Sequence, residues 1–262
     1  MSAPIRFLLA CMLCLTVSPV LDARGLPQAG GGPEARTAAT GMERGSALRP
    51  AHRANLVVHV VAGSLAIVVV TGLLLAAKGT ARHRRRGHLF VVATATVVGS
   101  AVVGLLAFGA LPTFAALSLL VGYQLLGGWR VARTQAAGPG PWDALATLGA
   151  GALAVMLVIP MYARPADVLM LSSLGALSLV LLWDTVRWVF PRRWHAGLWR
   201  YEHGYKLMAA LFGMLSALVG NVVRIAQPWS QLVPVALGLL VIAIVLLRIP
   251  RASVRETSLA RV

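Results

Sequence analysis

The sequence has little charge and almost no cysteine, and each shortage excludes a class of protein. Charged residues make up 12% of the 262 residues, whereas a soluble domain usually carries about a quarter. An ordinary soluble domain is therefore excluded. The two cysteines, Cys11 and Cys14, lie in a segment that is predicted to be removed as a secretory signal. Without that segment the chain has no cysteine, which excludes disulfide bonds and thiolate catalysis.

Acidic residues are also scarce, with 8 Asp and Glu against 24 Lys and Arg and a formal net charge of +16. In a soluble protein this excess would indicate nucleic acid as a partner. Here most arginines lie between apolar runs, so we interpret the charge as a determinant of membrane topology. Anionic lipids at the cytoplasmic face are then the expected contacts, and nucleic acid is not an expected partner.

Apolar runs dominate what is present. Hydrophobic residues make up 58% of the chain and the mean hydropathy is +0.78. Seven stretches match the thickness of the hydrocarbon core of a bilayer, which about twenty residues of helix cross. The predicted fold class is all-α, an integral membrane bundle of seven transmembrane helices. The predicted spans are residues 55–77, 89–110, 113–133, 143–162, 165–187, 203–224 and 231–249.

Four segments are predicted along the chain. A short basic start, an apolar stretch over residues 7–20 and small residues near Ala23 are typical of a cleavable signal peptide, residues 1–23. Residues 24–53 are rich in Gly, Ala, Pro and Arg and are predicted to form a flexible extracytoplasmic segment. The seven-helix domain then occupies residues 54–250, and residues 251–262 form a basic cytoplasmic tail.

Loop charge predicts the orientation of the spans. The first, third and fifth connections and the C-terminal tail carry nearly all the basic residues, whereas the other loops have only Arg164 and Arg224. Because Lys and Arg are enriched in cytoplasmic loops, the C-terminus is predicted inside and the N-terminus outside. The predicted location is the bacterial cytoplasmic membrane. The basic residues assigned to the cytoplasmic side are Lys78, Arg82, Arg84, Arg85, Arg86, Arg130, Arg133, Arg187, Arg192, Arg193, Arg200, Lys206, Arg248, Arg251, Arg255 and Arg261.

Ionisable side chains at membrane depth are costly and mark functional sites. His83, His88, Asp184 and His203 are predicted near the cytoplasmic face, with His195 in the loop between the fifth and sixth spans, while His59 lies near the outer end of the first span. The small residues that share a helix face with His203 and with His59 indicate that both histidines point into the bundle. Asn221 is a possible hydrogen-bond partner for His59.

The first interpretation of the inner cluster is a b-type haem or a quinone-linked redox site. His203 paired with His83 or His88 would supply axial ligands from different helices, as helix bundles allow. Asp184 would act as the acceptor that orients one imidazole.

Other interpretations remain open. His83, His88, His203 and Asp184 could bind Zn²⁺ and activate water for hydrolysis of a lipid-like substrate. Alternatively, His83 and His88 are solvated at the interface, with Asp184 paired to Arg187 and Glu202 paired to Lys206. In that case the protein is a non-enzymatic scaffold, binds a protein partner or takes part in transport. The residues do not decide whether the chain is an enzyme.

Several short motifs together resemble a family of bacterial multi-pass membrane proteins classed as a domain of unknown function. They are His59-Val60-Val61-Ala62-Gly63, Lys78-Gly79, His83-Arg84-x-x-Gly87-x-x-Phe90, Tyr123 with Trp129, Asp184, and His203-x-x-Lys206. The resemblance covers about residues 52–224. It implies membership and favours His59, His83, Asp184 and His203 as shared site residues, and it implies no particular activity.

Overall fold

The computed structural model of the chain describes residues 35–74, 76, 79–109, 112–159, 167–223 and 228–248. Over these residues the regular structure is helical, without strands, and seven helices are long and apolar enough to cross a membrane. The predicted all-α class with seven candidate spans is thereby confirmed. The helices are α1 (Ala35–Leu74), α2 (Ala81–Phe108), α3 (Pro112–Thr134), α4 (Pro141–Val158), α5 (Val168–Val186), α6 (Arg192–Val222) and α7 (Trp229–Arg248).

Helices α2 and α6 begin well before their predicted spans. Helix α2 begins at Ala81, where Thr80 caps its first turn by accepting a hydrogen bond from the backbone N–H of His83. Helix α6 begins at Arg192, so His195 lies in a helix and not in a loop. At about 1.5 Å per residue, the 31 residues of α6 extend roughly 46 Å, more than the hydrocarbon core. Apolarity predicts only the part of a helix that fits within lipid.

The segment predicted to be flexible is partly helical, because α1 begins at Ala35. Its sequence between residues 35 and 49 contains Ala, Arg, Met, Glu and Leu, all of which favour helix. Several predicted features lie outside the described residues. They are the signal peptide with Cys11 and Cys14, residues 24–34, Pro160 and the basic tail.

The chain divides into two compact units near Ala115. The N-terminal unit contains α1 and α2, which form an antiparallel hairpin. At one end Asn55 Nδ2 donates to the carbonyl of Ser100 at 3.0 Å, and at the other Arg86 Nη1 donates to the carbonyl of Gly72 at 2.7 Å. The buried face of α1 has helical spacing and consists of Ala62, Ala66, Val70 and Leu73.

The C-terminal unit contains α3 from Ala116 onwards and α4 to α7. Helices α3 and α6 approach closely at glycines. A Cβ on Gly128 would lie 2.9 Å from Leu207 Cδ2, and one on Gly213 would lie 2.8 Å from Val121 Cγ2. Small residues permit this approach between membrane helices. Apolar contacts among Leu120, Tyr123, Ala150 and Leu177 add α4 and α5 to the same unit.

Candidate functional site

The interior of the C-terminal unit contains a fully buried lysine. Lys206 on α6 is 0% exposed, and its Nζ lies 2.6 Å from Oδ1 and 2.7 Å from Oδ2 of Asp184 near the end of α5. The hydroxyl of Tyr123 on α3 donates to Asp184 Oδ2 at 2.6 Å. The ammonium also lies 6.0 Å from the ring centroids of Tyr123 and Tyr205. Three helices therefore meet at one carboxylate.

Arg187, in the turn that follows α5, joins this pair to two further carboxylates. Its Nη1 lies 2.5 Å from Glu202 Oε2 on α6, its Nε lies 3.6 Å from Asp184 Oδ1, and its Nη2 lies 3.8 Å from Asp143 Oδ1 on α4. The indole N–H of Trp183 donates to the other oxygen of Glu202 at 3.0 Å. The Arg187 side chain is 4% exposed, so this guanidinium is compensated by protein carboxylates rather than by water.

Asp143 links the group to α3 and to the start of α4. Arg130 donates to both oxygens of Asp143, at 2.8 and 2.9 Å, and the backbone N–H of Gly140 donates to Oδ2 at 2.8 Å. The Asp143 carboxylate therefore caps α4 while it pairs with α3. One turn further along α4, Thr147 Oγ1 lies 2.9 Å from the hydroxyl of Tyr123.

We call these residues the buried polar network: Tyr123, Arg130, Asp143, Thr147, Asp184, Arg187, Glu202 and Lys206. It contains three cations and three carboxylates, which give a formal charge of zero. Charges removed from water cost several kcal/mol each unless they are paired and hydrogen-bonded. The pairing here satisfies that condition, and a network of linked titratable groups is chemically capable of proton exchange.

The sequence placed Asp184 correctly near a helix end but only partly predicted its partners. The Asp184–Arg187 pair is present at 3.6 Å. The predicted Glu202–Lys206 pair is replaced, because Lys206 pairs with Asp184 and Glu202 pairs with Arg187. The spacing of four residues identified a possible pair within α6, but the packing of α5 against α6 offers closer partners. Over the described chain no imidazole is among the partners of Asp184, and its predicted role in orienting a ligand stays a prediction.

His203 and His195 both lie on α6. His203 Nδ1 lies 3.0 Å from the carbonyl oxygen of Gly128 on α3, which agrees with the prediction that His203 points into the bundle. If Nδ1 donates this hydrogen bond, Nε2 carries the lone pair, which is the tautomer of a ligand histidine. His195 is 6% exposed and packs against Gly138, so it is buried and not in a solvated loop.

The remaining predicted site residues lie in the N-terminal unit. His59 Nδ1 lies 2.8 Å from the hydroxyl of Ser100, and that hydroxyl donates to the carbonyl of Val97. His59 is therefore the donor to Ser100. Asn221 Nδ2 donates to the carbonyl of Ala217 within α6, and the contact of Asn221 with His59 stays a prediction.

The other two histidines begin α2. The backbone N–H of His83 donates to Thr80 Oγ1 at 3.1 Å, and His88 is exposed. Among the residues that the structure describes, no group of three or more His, Cys, Asp or Glu side chains is arranged to hold a metal ion. The zinc site and the haem ligands stay predictions.

Sequence reasoning missed most of the buried polar network, because it assigned Arg130, Arg187 and Lys206 to cytoplasmic loops. One feature of the sequence, its few acidic residues, pointed to the network. Residues 54–250 contain only four acidic residues, Asp143, Asp167, Asp184 and Glu202. Three of the four belong to the network, and scarce carboxylates in an apolar chain indicate obligatory partners for buried cations.

No family model matches this chain, and neither the curated proteins nor the solved structures contain a match to it.

Proposed function

We propose that this chain is a multi-pass membrane protein that conducts protons by way of Asp184, Lys206 and Tyr123. The observation that carries the proposal is the fully buried Lys206 ammonium held by both oxygens of Asp184. Ionisable groups at membrane depth are expensive, and proton relays are one of the functions for which they are kept.

The hydrogen bonds around Tyr123 support proton exchange. Two hydroxyl groups, those of Tyr123 and Thr147, make three contacts: to Asp184, to each other and to the backbone carbonyl of Asp143. Two hydroxyl protons serve three contacts, so at most two of the contacts are hydrogen bonds at one time, and the third forms only when a hydroxyl proton is redirected. The Arg130 side chain, which pairs with Asp143, is 20% exposed. The linked charges of the network therefore reach the surface of the unit.

Proton flux in reconstituted liposomes tests the proposal. We expect the wild type, with a pH-sensitive dye inside and an imposed potassium diffusion potential, to move protons faster than protein-free liposomes do. Asp184→Asn should reduce this flux at least tenfold.

Asp167→Asn is the matched control for Asp184→Asn. Asp167 is exposed at the other end of the same helix and accepts a hydrogen bond from the N–H of Met170, and Asn caps helices as well as Asp. The control should retain the wild-type rate. A wild-type flux equal to that of empty liposomes contradicts the proposal.

A second candidate function is electron transfer through a b-type haem or a quinone, with His203 as the first ligand. The contact between His203 Nδ1 and the Gly128 carbonyl supports this candidate, because a ligand histidine usually donates its other ring N–H to such an acceptor. The assignment of His83 or His88 as the second ligand stays a prediction from the sequence.

A reduced-minus-oxidised visible spectrum of the purified protein, with metal analysis of the same sample, tests the redox candidate. We expect the bands of a low-spin haem in the wild type and in His195→Ala, and their loss in His203→Ala. A flat spectrum without bound quinone contradicts this candidate. Stoichiometric zinc would then favour the hydrolase interpretation, and a co-purified membrane protein would favour the scaffold interpretation.

We further propose the bacterial cytoplasmic membrane as the location, with the N-terminus outside after signal cleavage and anionic lipids at the cytoplasmic face. Arg187 and Lys206 are paired with buried carboxylates. Their charges are therefore not used as evidence for the orientation of the loops. The exposed Arg82, Arg84 and Arg85 at the start of α2 still support this orientation. We also propose that the chain belongs to the family of bacterial multi-pass membrane proteins of unknown function that its motifs resemble.

A further inference from the structure

Four of the buried charges can pair in two different ways. In the observed arrangement Lys206 pairs with Asp184, and Arg187 pairs with Glu202. Both contacts cross from the end of α5 to α6, and we call this the crossed pairing. In the alternative, Asp184 pairs with Arg187 three residues on, and Glu202 pairs with Lys206 four residues on. Those spacings bring side chains together on one helix, and we call this the local pairing.

The local pairing is already partly formed. Arg187 Nε lies 3.6 Å from Asp184 Oδ1, and over the described residues this buried Nε has no hydrogen-bond acceptor. Both Glu202 and Lys206 are buried on the same stretch of α6. A small rotation of the Arg187 guanidinium towards Asp184 would weaken its hold on Glu202 and make that carboxylate accessible to Lys206.

Both pairings compensate two cations with two carboxylates. An exchange between the two pairings leaves no buried charge unpaired. A buried charge without a partner is what makes most rearrangements of buried ion pairs too costly in free energy. Packed interiors change between discrete arrangements rather than deforming gradually. The crossed pairing links the end of α5 to α6 by two ion pairs. In the local pairing, each segment pairs its own charges, and neither of the two ion pairs joins α5 to α6.

We propose that Asp184, Arg187, Glu202 and Lys206 form a two-state latch between α5 and α6, closed in the crossed pairing and open in the local pairing. Two neighbouring groups donate to the carboxylates of the latch, Tyr123 on α3 to Asp184 and Trp183 on α5 to Glu202. Arg130 on α3 and Asp143 on α4 pair with each other. Neither state needs a change of protonation. The inference therefore goes beyond the proposed proton function and does not depend on it.

Charge-swap variants select one state each. Asp184→Lys with Lys206→Asp keeps opposite charges across the helices but places like charges at both local spacings, so it permits only the closed state. Asp184→Arg with Arg187→Asp keeps opposite charges at the local spacings but places like charges at both crossed contacts, so it disfavours the closed state. The four-residue swap Asp184→Lys, Arg187→Glu, Glu202→Arg and Lys206→Asp preserves both pairings and serves as the folding control.

The distance between spin labels at Thr185→Cys on α5 and Arg200→Cys on α6 reports the state. Both positions are exposed, and Cys11 and Cys14 are replaced by Ser in all variants. In liposomes we expect two distances in the wild type and in the four-residue swap. The closed-state variant should retain only the shorter distance and the open-state variant only the longer one.

A single wild-type distance overturns the latch, whatever the variants do. This criterion holds even if the open-state variant does not fold. Two wild-type distances that both persist in the closed-state variant also overturn it, because the motion would then not depend on the local pairing. The label distances do not report proton flux, so failure of the latch and failure of the proposed function are distinguishable.

Discussion

His195 lies against Gly138 so closely that a Cβ on Gly138 would be 2.7 Å from His195 Cδ2. Gly138 also has a φ of +77°, which other residues rarely adopt. The contact fixes the loop between α3 and α4 onto the start of α6. This loop positions Asp143 for its pairing with Arg130.

Gly138→Ala should therefore destabilise the protein by about 1–3 kcal/mol, from positive-φ strain and steric overlap with the imidazole. The measurement is the unfolding free energy in mixed micelles. Gly140→Ala is the control, because Gly140 has a φ of −124° and its Cβ would lie at an ordinary 3.8 Å from Asp143. Equal effects of the two substitutions would contradict the importance of the His195 contact.

Removal of one member of the Lys206–Asp184 pair should be more harmful than removal of both. Lys206→Met leaves the buried polar network with one more carboxylate than cations and should cost roughly 3–5 kcal/mol, as for other buried pairs. Adding Asp184→Leu to this variant should recover part of the loss, since no buried charge then lacks a partner. The unfolding free energies of the two single variants and the double variant form the test. Purely additive losses would show that the two side chains are not energetically coupled.

The close approach of α3 and α6 depends on Gly128. Gly128→Ala brings a methyl group to 2.9 Å from Leu207 Cδ2 and 3.1 Å from Lys206 Cβ, and should cost about 1–3 kcal/mol through overpacking. Gly149→Ala on α4 has no atom within 4 Å of the new Cβ, so it should be neutral or stabilising by up to about 1 kcal/mol. Melting temperatures in detergent compare the two. A destabilised Gly149→Ala would indicate a contact of α4 that the structure does not show.

In the N-terminal unit, Ser100→Ala should destabilise the hairpin of α1 and α2 by about 1 kcal/mol, because His59 loses its acceptor. Thr96→Val is the control. The Thr96 hydroxyl is exposed and bonds only within its own helix, so its loss should change the unfolding free energy by no more than about 0.5 kcal/mol. The shift of the His59 ring resonances on substitution of Ser100 offers a second readout.

The apolar pattern was sufficient to predict the seven membrane-length helices found among the described residues, since a run long enough to fill the hydrocarbon core has few other stable conformations. It was not sufficient for helix ends. The starts of α2 and α6 are rich in Arg and His, with Trp also in α6, so they are too polar to be predicted as a span although the backbone is helical. His195 was assigned to a loop for this reason, although its ring is buried.

The sequence by itself determined that the chain is an all-helical protein with seven candidate membrane spans, because hydrophobic length is a local property of each segment. The sequence also identified Asp184 and His203 as candidate site residues. Only the tertiary structure decided that Lys206 pairs with Asp184 and Arg187 with Glu202. Ion pairs within a helix can be predicted from spacing, whereas pairs between helices depend on how the helices pack and rotate. That packing is a collective property of small residues such as Gly128 and Gly213.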